Sequence, residues 1–149
     1  MSKPAELESH LGYQVRRASN HISSRFARKL GEEGVSVAEW VVLRHLHGGP
    51  MSPSSLAVAL SVTQGAISKV LDKLLTKGYV ASQISATDRR AQQIELTSEG
   101  TNVVPLLAAL ADENDSFFFD GLSKDEQARL RSLLLRLNQI HGWNDVPTQ

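Results

Sequence analysis

Two arginines, Arg89 and Arg90, lie in a polar segment between two short stretches that read as β-strands. Guanidinium groups at the tip of a turn are suited to a narrow groove of nucleic acid, where the negative potential is strongest. Asp88 would be repelled by phosphates, so we expect it to pair with one of the arginines and stabilise the tip. The alternative is a polar hairpin turn whose ion pair contributes little. This segment favours a contact with DNA, without deciding which arginine enters the groove.

A second group of polar residues lies on a predicted helix from about residue 63 to residue 77. Short donors and acceptors on its outer face are suited to base edges, its lysines are suited to phosphates, and Gly65 leaves room for a close approach. The alternative is an ordinary solvated helix face. We predict that this face contacts DNA, together with the start of the preceding short helix. The predicted contact residues are Ser52, Ser54, Thr63, Gln64, Gly65, Ser68, Lys69 and Lys73.

The elements around these residues form a helix-turn-helix followed by a β-hairpin. Ser52 is predicted to cap a short helix that has Pro53 at its first position. The cap of the next helix is either Ser61, with Gln64 as its capping-box partner, or Thr63. Residues 79–84 and 92–96 are predicted strands on either side of the polar tip. Two short helices joined by a tight turn and followed by such a hairpin indicate a winged helix.

Longer helices are predicted on both sides of this unit. Apolar residues recur at three- and four-residue steps from Leu11 to Leu30, which predicts an N-terminal helix. Capping boxes at Ser36 and Ser123 begin a buried central helix and the last helix, and Thr97 caps a long helix between them. Within that long helix, Pro105 predicts either a kink or the true helix start. The inner face of the last helix is predicted to contain Leu130, Leu133, Leu134, Leu137 and Ile140.

The predicted fold is mainly α with a small two-stranded β wing, in a single domain spanning residues 1–149. The winged helix-turn-helix occupies about residues 36–97, and dimerisation helices occupy about 8–34 and 98–145. The apolar stripes at the two ends of the chain are more than one chain can easily bury, which predicts a homodimer. The aromatic residues 117–119 are expected to pack in the core or between subunits, with a ligand-lining role as the alternative.

Composition narrows the possible functions. The formal net charge is zero, although residues 61–97 are mildly basic, and the sequence contains no cysteine, which excludes disulfides and thiol-based sensing. No apolar run is long enough for a membrane span, so we expect a cytoplasmic protein without membrane contact. No catalytic constellation or cofactor motif is recognisable, so we expect neither an enzyme nor a cofactor. The spacing of the five histidines is not that of metal ligands, so no metal site is predicted. These histidines are His10, His21, His45, His47 and His141.

These motifs resemble those of the MarR family of bacterial winged-helix regulators over about residues 10–140. The wing pattern of that family is D-x-R, an apolar residue, L-T and often E-G. Here it is matched by Asp88, Arg90, Ile94, the pair Leu96-Thr97 and the pair Glu99-Gly100. The segments 60–68 and 121–126 also fit. Family members often carry an arginine where this chain has Ser82, which predicts the loss of a phosphate contact and a milder salt dependence of DNA binding.

The resemblance implies a sequence-specific regulator of transcription that binds double-stranded DNA. It implies a triangular homodimer on a palindromic operator, acting as a repressor that is released by a small ligand such as an aromatic acid. The ligand would lie between the dimerisation helices and the DNA-binding lobe, near His21, Arg25, Trp40 and Arg44, where an arginine could pair with a carboxylate. Two alternatives are a winged helix that binds a partner protein and the dimerisation module of an enzyme such as a methyltransferase. The lack of a cofactor domain disfavours the latter.

Overall fold

A computed structural model describes residues 1–84 and 92–149. The predicted wing-tip residues Asp88, Arg89 and Arg90 lie outside these ranges. The described part confirms the mainly α winged-helix fold. In chain order its elements are a 3-10 turn Leu7–Ser9, α1 Leu11–Glu32, α2 Val37–Leu46, α3 Pro53–Leu60, α4 Gln64–Thr76, β1 Val80–Ile84, β2 Gln92–Leu96, α5 Ser98–Phe119 and α6 Lys124–His141.

Local caps begin most of these helices where the sequence predicts them. Both capping boxes are present: Ser36 pairs with the first turn of α2 and Ser123 with that of α6. For α4, the cap is Thr63, whose Oγ1 accepts a hydrogen bond of 3.1 Å from the Ala66 amide. Ser61 instead ends α3 with a φ of 54°. A left-handed residue at this position allows the sharp turn into α4.

The turn between α3 and α4 gives a bend of 115° between the two helices, within the usual range for a helix-turn-helix. Among the described residues, no single helix is long and apolar enough to cross a membrane, and only α3 and α4 taken together as a bent pair reach that length and composition. Most of their apolar side chains pack in the core. The buried core residues on these two helices are Leu56, Ala57, Leu60, Ile67, Leu71 and Leu74.

The wing is an antiparallel pair, with Val80 opposite Leu96 and Ile84 opposite Gln92. Its first strand begins at Val80, one residue later than predicted. Met51 adds an isolated bridge that sequence patterns did not predict. Its amide donates to the Ile94 carbonyl at 3.0 Å and its carbonyl accepts from the Ile94 amide at 2.8 Å. The bridge joins the loop before α3 to the second wing strand.

The helix α5 begins at Ser98 and runs through Pro105 without interruption. The alternative in which Pro105 marks the true helix start is therefore wrong, and a kink at Pro105 stays a prediction. Thr97 is the cap, and its Oγ1 accepts a hydrogen bond of 3.1 Å from the Gly100 amide. Proline lacks an amide hydrogen, so α5 tolerates one missing backbone bond at this exposed position.

The leucines of α6 do not lie inside the chain's own core, so the prediction that they are buried there is wrong for the single chain. No residue of α6 is buried, and Leu133 is 56% exposed. Leu75 of α4 is also exposed. At the other end, Leu11 of α1 is 84% exposed. The regular spacing correctly indicated an apolar face, but the chain itself supplies nothing that covers it within the described residues.

Candidate nucleic-acid interface and an adjoining cleft

The helix α4 is buried on one side and exposed on the other. Ile67, Leu71 and Leu74 anchor it in the core. The helical repeat places Gly65, Lys69 and Lys73 on the side away from these anchors. Gln64 and Ser68 flank that side and are also exposed. The structure therefore brings five of the predicted DNA contacts onto one exposed helix face: Gln64, Gly65, Ser68, Lys69 and Lys73.

The three remaining predicted contacts on these helices, Thr63, Ser52 and Ser54, occupy different places. Thr63 lies exposed at the start of α4, next to the polar face, although its oxygen already caps the helix. Ser52 is partly buried and caps α3, accepting a hydrogen bond of 3.1 Å from the Ser55 amide. Ser54 is exposed in the first turn of α3, at the opposite end of that helix from the turn into α4. Ser52 and Ser54 are thus not part of the α4 face.

The described part of the wing is held by side-chain hydrogen bonds across its two strands. Ser82, which occupies the place of a common family arginine, accepts a hydrogen bond of 2.7 Å from Gln92 Nε2. One residue along β1, Gln83 Nε2 donates to Glu95 Oε1 at 2.5 Å. These bonds join the two strands near Ile84 and Gln92, where the described part of the wing ends.

A cleft of about 340 Å³ lies between α1, α2 and α5. Its wall is largely apolar and aromatic, and the segment after α6 forms one side of it. Trp40 is the member of the predicted ligand site that lines this cleft. The lining residues are Ile22, Ser23, Phe26, Val37, Trp40, Val41, Ala111, Asn114, Asp115, Val146, Pro147 and Gln149.

Arg25 lies next to the cleft but is engaged with α5. Its guanidinium donates to both carboxylate oxygens of Glu113, at 3.0 and 2.7 Å, and to Asn114 Oδ1 at 3.0 Å. It also lies 3.9 Å from the centre of the Phe117 ring. Asn114 is buried and donates to the Ile22 carbonyl at 3.3 Å. An acidic ligand that reached Arg25 would therefore have to compete with Glu113.

The other two predicted ligand residues are elsewhere. His21 lines a separate cavity of about 230 Å³ with Tyr13, Arg16, Arg17 and Asn20. Arg44 is exposed near the end of α2 and does not line the cleft. The structure thus does not bring His21, Arg25, Trp40 and Arg44 into one site. The position of a residue along a helix does not reveal which neighbouring element its side chain faces.

The segment after α6 contributes to the cleft in a way that sequence reasoning missed. Gly142, with a φ of 66°, turns the chain, and the Trp143 amide donates to the Asn138 carbonyl at 3.0 Å. The chain then returns to the cleft, where Val146 packs against the core. The available signal was the pair Val146-Pro147 after Trp143 in the tail.

We predict that the contact between Arg25 and Glu113 makes stability depend on pH. The hydrogen bonds and charge of Arg25 lower the pKa of Glu113 below its ordinary value of 4.5. A carboxylate with a lowered pKa in the folded state stabilises the fold above that ordinary pKa, and this contribution is lost as the pH falls through the lowered value. Glu113→Gln should therefore lower the melting temperature at neutral pH, with a difference that shrinks below pH 4.5.

Thermal unfolding followed by circular dichroism across this pH range measures the effect. Asp112→Asn removes the same charge from the adjacent exposed position and serves as the matched control. A difference between Glu113→Gln and wild type that stays constant from neutral to acidic pH would contradict the prediction.

Comparisons with known proteins agree with this geometry. Residues 33–91 match the sequence profile of the MarR family. A probable transcriptional regulator from Pseudomonas aeruginosa has 26% identity, covers 89% of this chain and 99% of its own, and superposes with a TM-score of 0.77. A cysteine-to-serine mutant of E. coli MarR, complexed with operator DNA, has 25% identity, coverage of 85% and 92%, and a TM-score of 0.75.

A third structure is BpsR from Bordetella bronchiseptica, whose DNA binding is described as regulated by 6-hydroxynicotinic acid. It has 23% identity, covers 91% of this chain and 98% of its own, and gives a TM-score of 0.77. The profile match spans α2, α3, α4 and the start of the wing, while the structural similarity extends over most of the chain. Residues 33–91 of this protein therefore match the MarR family, and the fold of the chain is that of MarR-type transcriptional regulators.

Proposed function

We propose that this protein is a homodimeric repressor that binds a palindromic operator in the cytoplasm and is released from it by a small ligand. The observation that carries the proposal is the outer face of α4, where polar residues are exposed on a helix whose other face is fixed in the core. Such a helix can enter a groove without losing its own packing. The exposed apolar surface and the cleft beside Trp40 support the homodimer and the ligand in this proposal.

The helix α4 has the dimensions of a recognition helix. Its 13 residues give a length of about 20 Å, and a helix fits the major groove of B-DNA. Recognition helices contact base edges with their N-terminal residues, which here include Gln64 and Ser68. Lys69 and Lys73 lie further along the same exposed face, where they can bind phosphates. Arg89 and Arg90 stay predicted minor-groove contacts.

A homodimer would cover the exposed apolar surface at both ends of the chain. Large apolar side chains are exposed on α1 and on α6, among them Leu11, Val15, Leu133 and Leu137. Large exposed apolar surfaces are typical of protein–protein contacts. Two copies related by a two-fold axis would present two α4 helices to half-sites about 34–36 Å apart, which requires a palindromic operator.

The cleft beside Trp40 is the proposed ligand site. Its volume of about 340 Å³ lies at the lower end of the range for small-molecule sites, and aromatic rings contribute to its wall. The regulation of BpsR by an aromatic acid supports a ligand of that class here. Such a ligand would release the operator only if it binds the DNA-incompetent arrangement of the two lobes more tightly than the competent one.

Selection of bound duplexes from random DNA tests the proposal most directly. We expect an enriched sequence with two inverted half-sites one helical turn apart. The purified protein should bind that duplex in preference to unrelated DNA, and more tightly at low salt. Failure to prefer any duplex over a neutral polymer at low ionic strength would reject the proposed function.

Two substitutions on α4 are predicted to affect binding in different ways. Gln64→Ala should relax discrimination at one base position in each half-site, by about 1–3 kcal/mol if the contact is bidentate. Lys69→Ala should weaken binding to all duplexes and reduce the slope of log affinity against log salt by roughly one unit for each lost phosphate contact. Gel-shift titrations with the selected duplex and its point variants, at several salt concentrations, separate the two effects.

Lys124→Ala is the matched control for Lys69→Ala, because it removes the same charge at the start of α6. We expect its affinity and salt slope to equal those of wild type. If Gln64→Ala leaves the preference unchanged at every position and Lys69→Ala leaves the slope unchanged, the outer face of α4 is not the DNA-binding surface.

A further inference from the structure

An ion pair between exposed Lys77 and buried Glu39 connects the end of α4 to the beginning of α2. Glu39, in the first turn of α2, is only 3% exposed. Its Oε2 atom accepts a hydrogen bond of 2.5 Å from Lys77 Nζ, and its Oε1 atom accepts one of 3.3 Å from the Ser36 amide. Lys77 Nζ also donates to the Gly34 carbonyl at 2.6 Å. Both carboxylate oxygens therefore have partners.

The position of this pair matters because Lys77 directly follows the last residue of α4. One lysine thus holds both the α1–α2 turn at Gly34 and the capping box that begins α2. A charge buried at this depth is costly to leave unpaired, so the geometry of the pair is strongly favoured over an open arrangement. The C-terminal end of α4 is therefore fixed against α2 by a directional contact in addition to apolar packing.

The same turn of α2 also forms part of the cleft. Trp40, the residue after Glu39, lines it together with Val37 and Val41. The beginning of α2 therefore has two contacts: Lys77 of the α4 end on one side and the cleft on another. A ligand that moved the first turn of α2 would move the carboxylate that holds α4. Coupling between distant sites requires a physical element that both sites displace, and this turn fulfils that condition.

We propose that the Glu39–Lys77 ion pair sets the orientation of the recognition helix and transmits movements of the cleft to it. Lys77 is then a positioning residue and not a phosphate contact. The inference rests on the proposed function, because it assumes that α4 binds DNA. It adds the contact through which a ligand in the cleft changes the orientation of α4 toward DNA.

The sign of a substitution effect distinguishes positioning from direct electrostatics. Glu39→Gln removes a negative charge, which by electrostatics alone would leave DNA affinity unchanged or raise it. Loss of the positioning contact predicts the opposite, a decrease of about tenfold or more in affinity for the selected duplex. Lys77→Met should cause a similar decrease without changing the salt slope, and Lys77→Arg should retain most of the affinity because it keeps the charge and the donors.

Glu33→Gln is the matched control, since it removes the same charge from an exposed position at the end of α1. Affinities are compared at a temperature at which circular dichroism shows every variant to be folded. The double variant Glu39→Gln/Lys77→Met should bind no more weakly than the weaker single variant, because the two residues act through one contact. Additive losses from the two substitutions would contradict the inference.

Trp40 reports the coupling independently of affinity. In a Trp143→Phe background Trp40 is the remaining tryptophan, since the sequence contains two. Saturating selected duplex should shift its emission with Lys77 present and leave it unchanged in Lys77→Met. If wild type binds no duplex, the proposed function fails. If wild type binds and Glu39→Gln binds as tightly, or Lys77→Met shows the full emission shift, the ion pair does not have this role.

Discussion

Gly100→Ala is expected to destabilise the fold by about 3 kcal/mol or more, at the upper end of the usual cost of overpacking. An alanine Cβ at this position would lie 2.0 Å from the Tyr79 carbonyl oxygen and 3.0 Å from its carbonyl carbon. Both are backbone atoms, so no side-chain rotation can relieve the clash. The helix propensity gained by alanine, about 1 kcal/mol, is smaller than this cost. Urea denaturation followed by circular dichroism gives the difference directly.

The Tyr79 carbonyl cannot easily move away, because Thr97 holds the same turn. The Thr97 amide donates to that carbonyl at 3.0 Å, and Thr97 Oγ1 donates to the Gly78 carbonyl at 2.6 Å. The turn after α4 and the start of α5 are thus joined at one point. Gly100→Ala would have to separate them, which should loosen the wing as well as α5.

Gly31→Ala is the control for this substitution. Gly31 lies in the last turn of α1, and an added Cβ there meets no atom within 4 Å. Its effect should be neutral or stabilising by up to about 1 kcal/mol. An unfolding free energy of Gly100→Ala equal to that of wild type would show that the turn at Tyr79 is more adaptable than its hydrogen bonds indicate.

Gly100 also illustrates what sequence can and cannot provide. The resemblance identified it as part of a recurring wing motif, but its steric reason depends on a turn more than twenty residues earlier. Caps such as Ser36 and Ser123 were predictable because both partners lie within three residues. The polar face of α4 was predictable because the helical repeat separates buried and exposed sides without reference to the rest of the fold.

Contacts between distant segments were not predictable in this way. The Met51–Ile94 bridge and the Glu39–Lys77 pair join residues 43 and 38 positions apart, and no local pattern indicates their partners. The predicted ligand residues show the same limit: Trp40 faces the cleft, whereas His21 and Arg44 face elsewhere. Periodicity assigns a residue to a face, but tertiary packing decides what that face contacts.

The exposed leucines of α6 show that periodicity also cannot tell whether the partner of a face belongs to the same chain or to a second one. Periodicity predicted an apolar face there and could not distinguish burial within the chain from burial against a partner. Leu133 and Leu137, one helical turn apart, are 56% and 42% exposed. Because neither packs in the described core, replacing them should affect the assembly far more than the winged-helix lobe. They therefore provide a test of the proposed homodimer that leaves α4 and the wing unchanged.

The double variant Leu133→Asp/Leu137→Asp is expected to be monomeric at micromolar concentration and to lose about a hundredfold or more in operator affinity. Each buried leucine contributes roughly 1.5–3 kcal/mol, and a carboxylate placed in an apolar interface adds its desolvation cost. A monomer can hold one half-site at a time and loses the benefit of simultaneous binding. Analytical sedimentation measures the oligomeric state, and gel shifts measure the operator affinity. Ser132→Asp/Gln139→Asp is the control, because it adds the same charges at polar positions of α6. A dimeric double variant with unchanged affinity, or a monomeric wild type, would show that this face does not join two subunits.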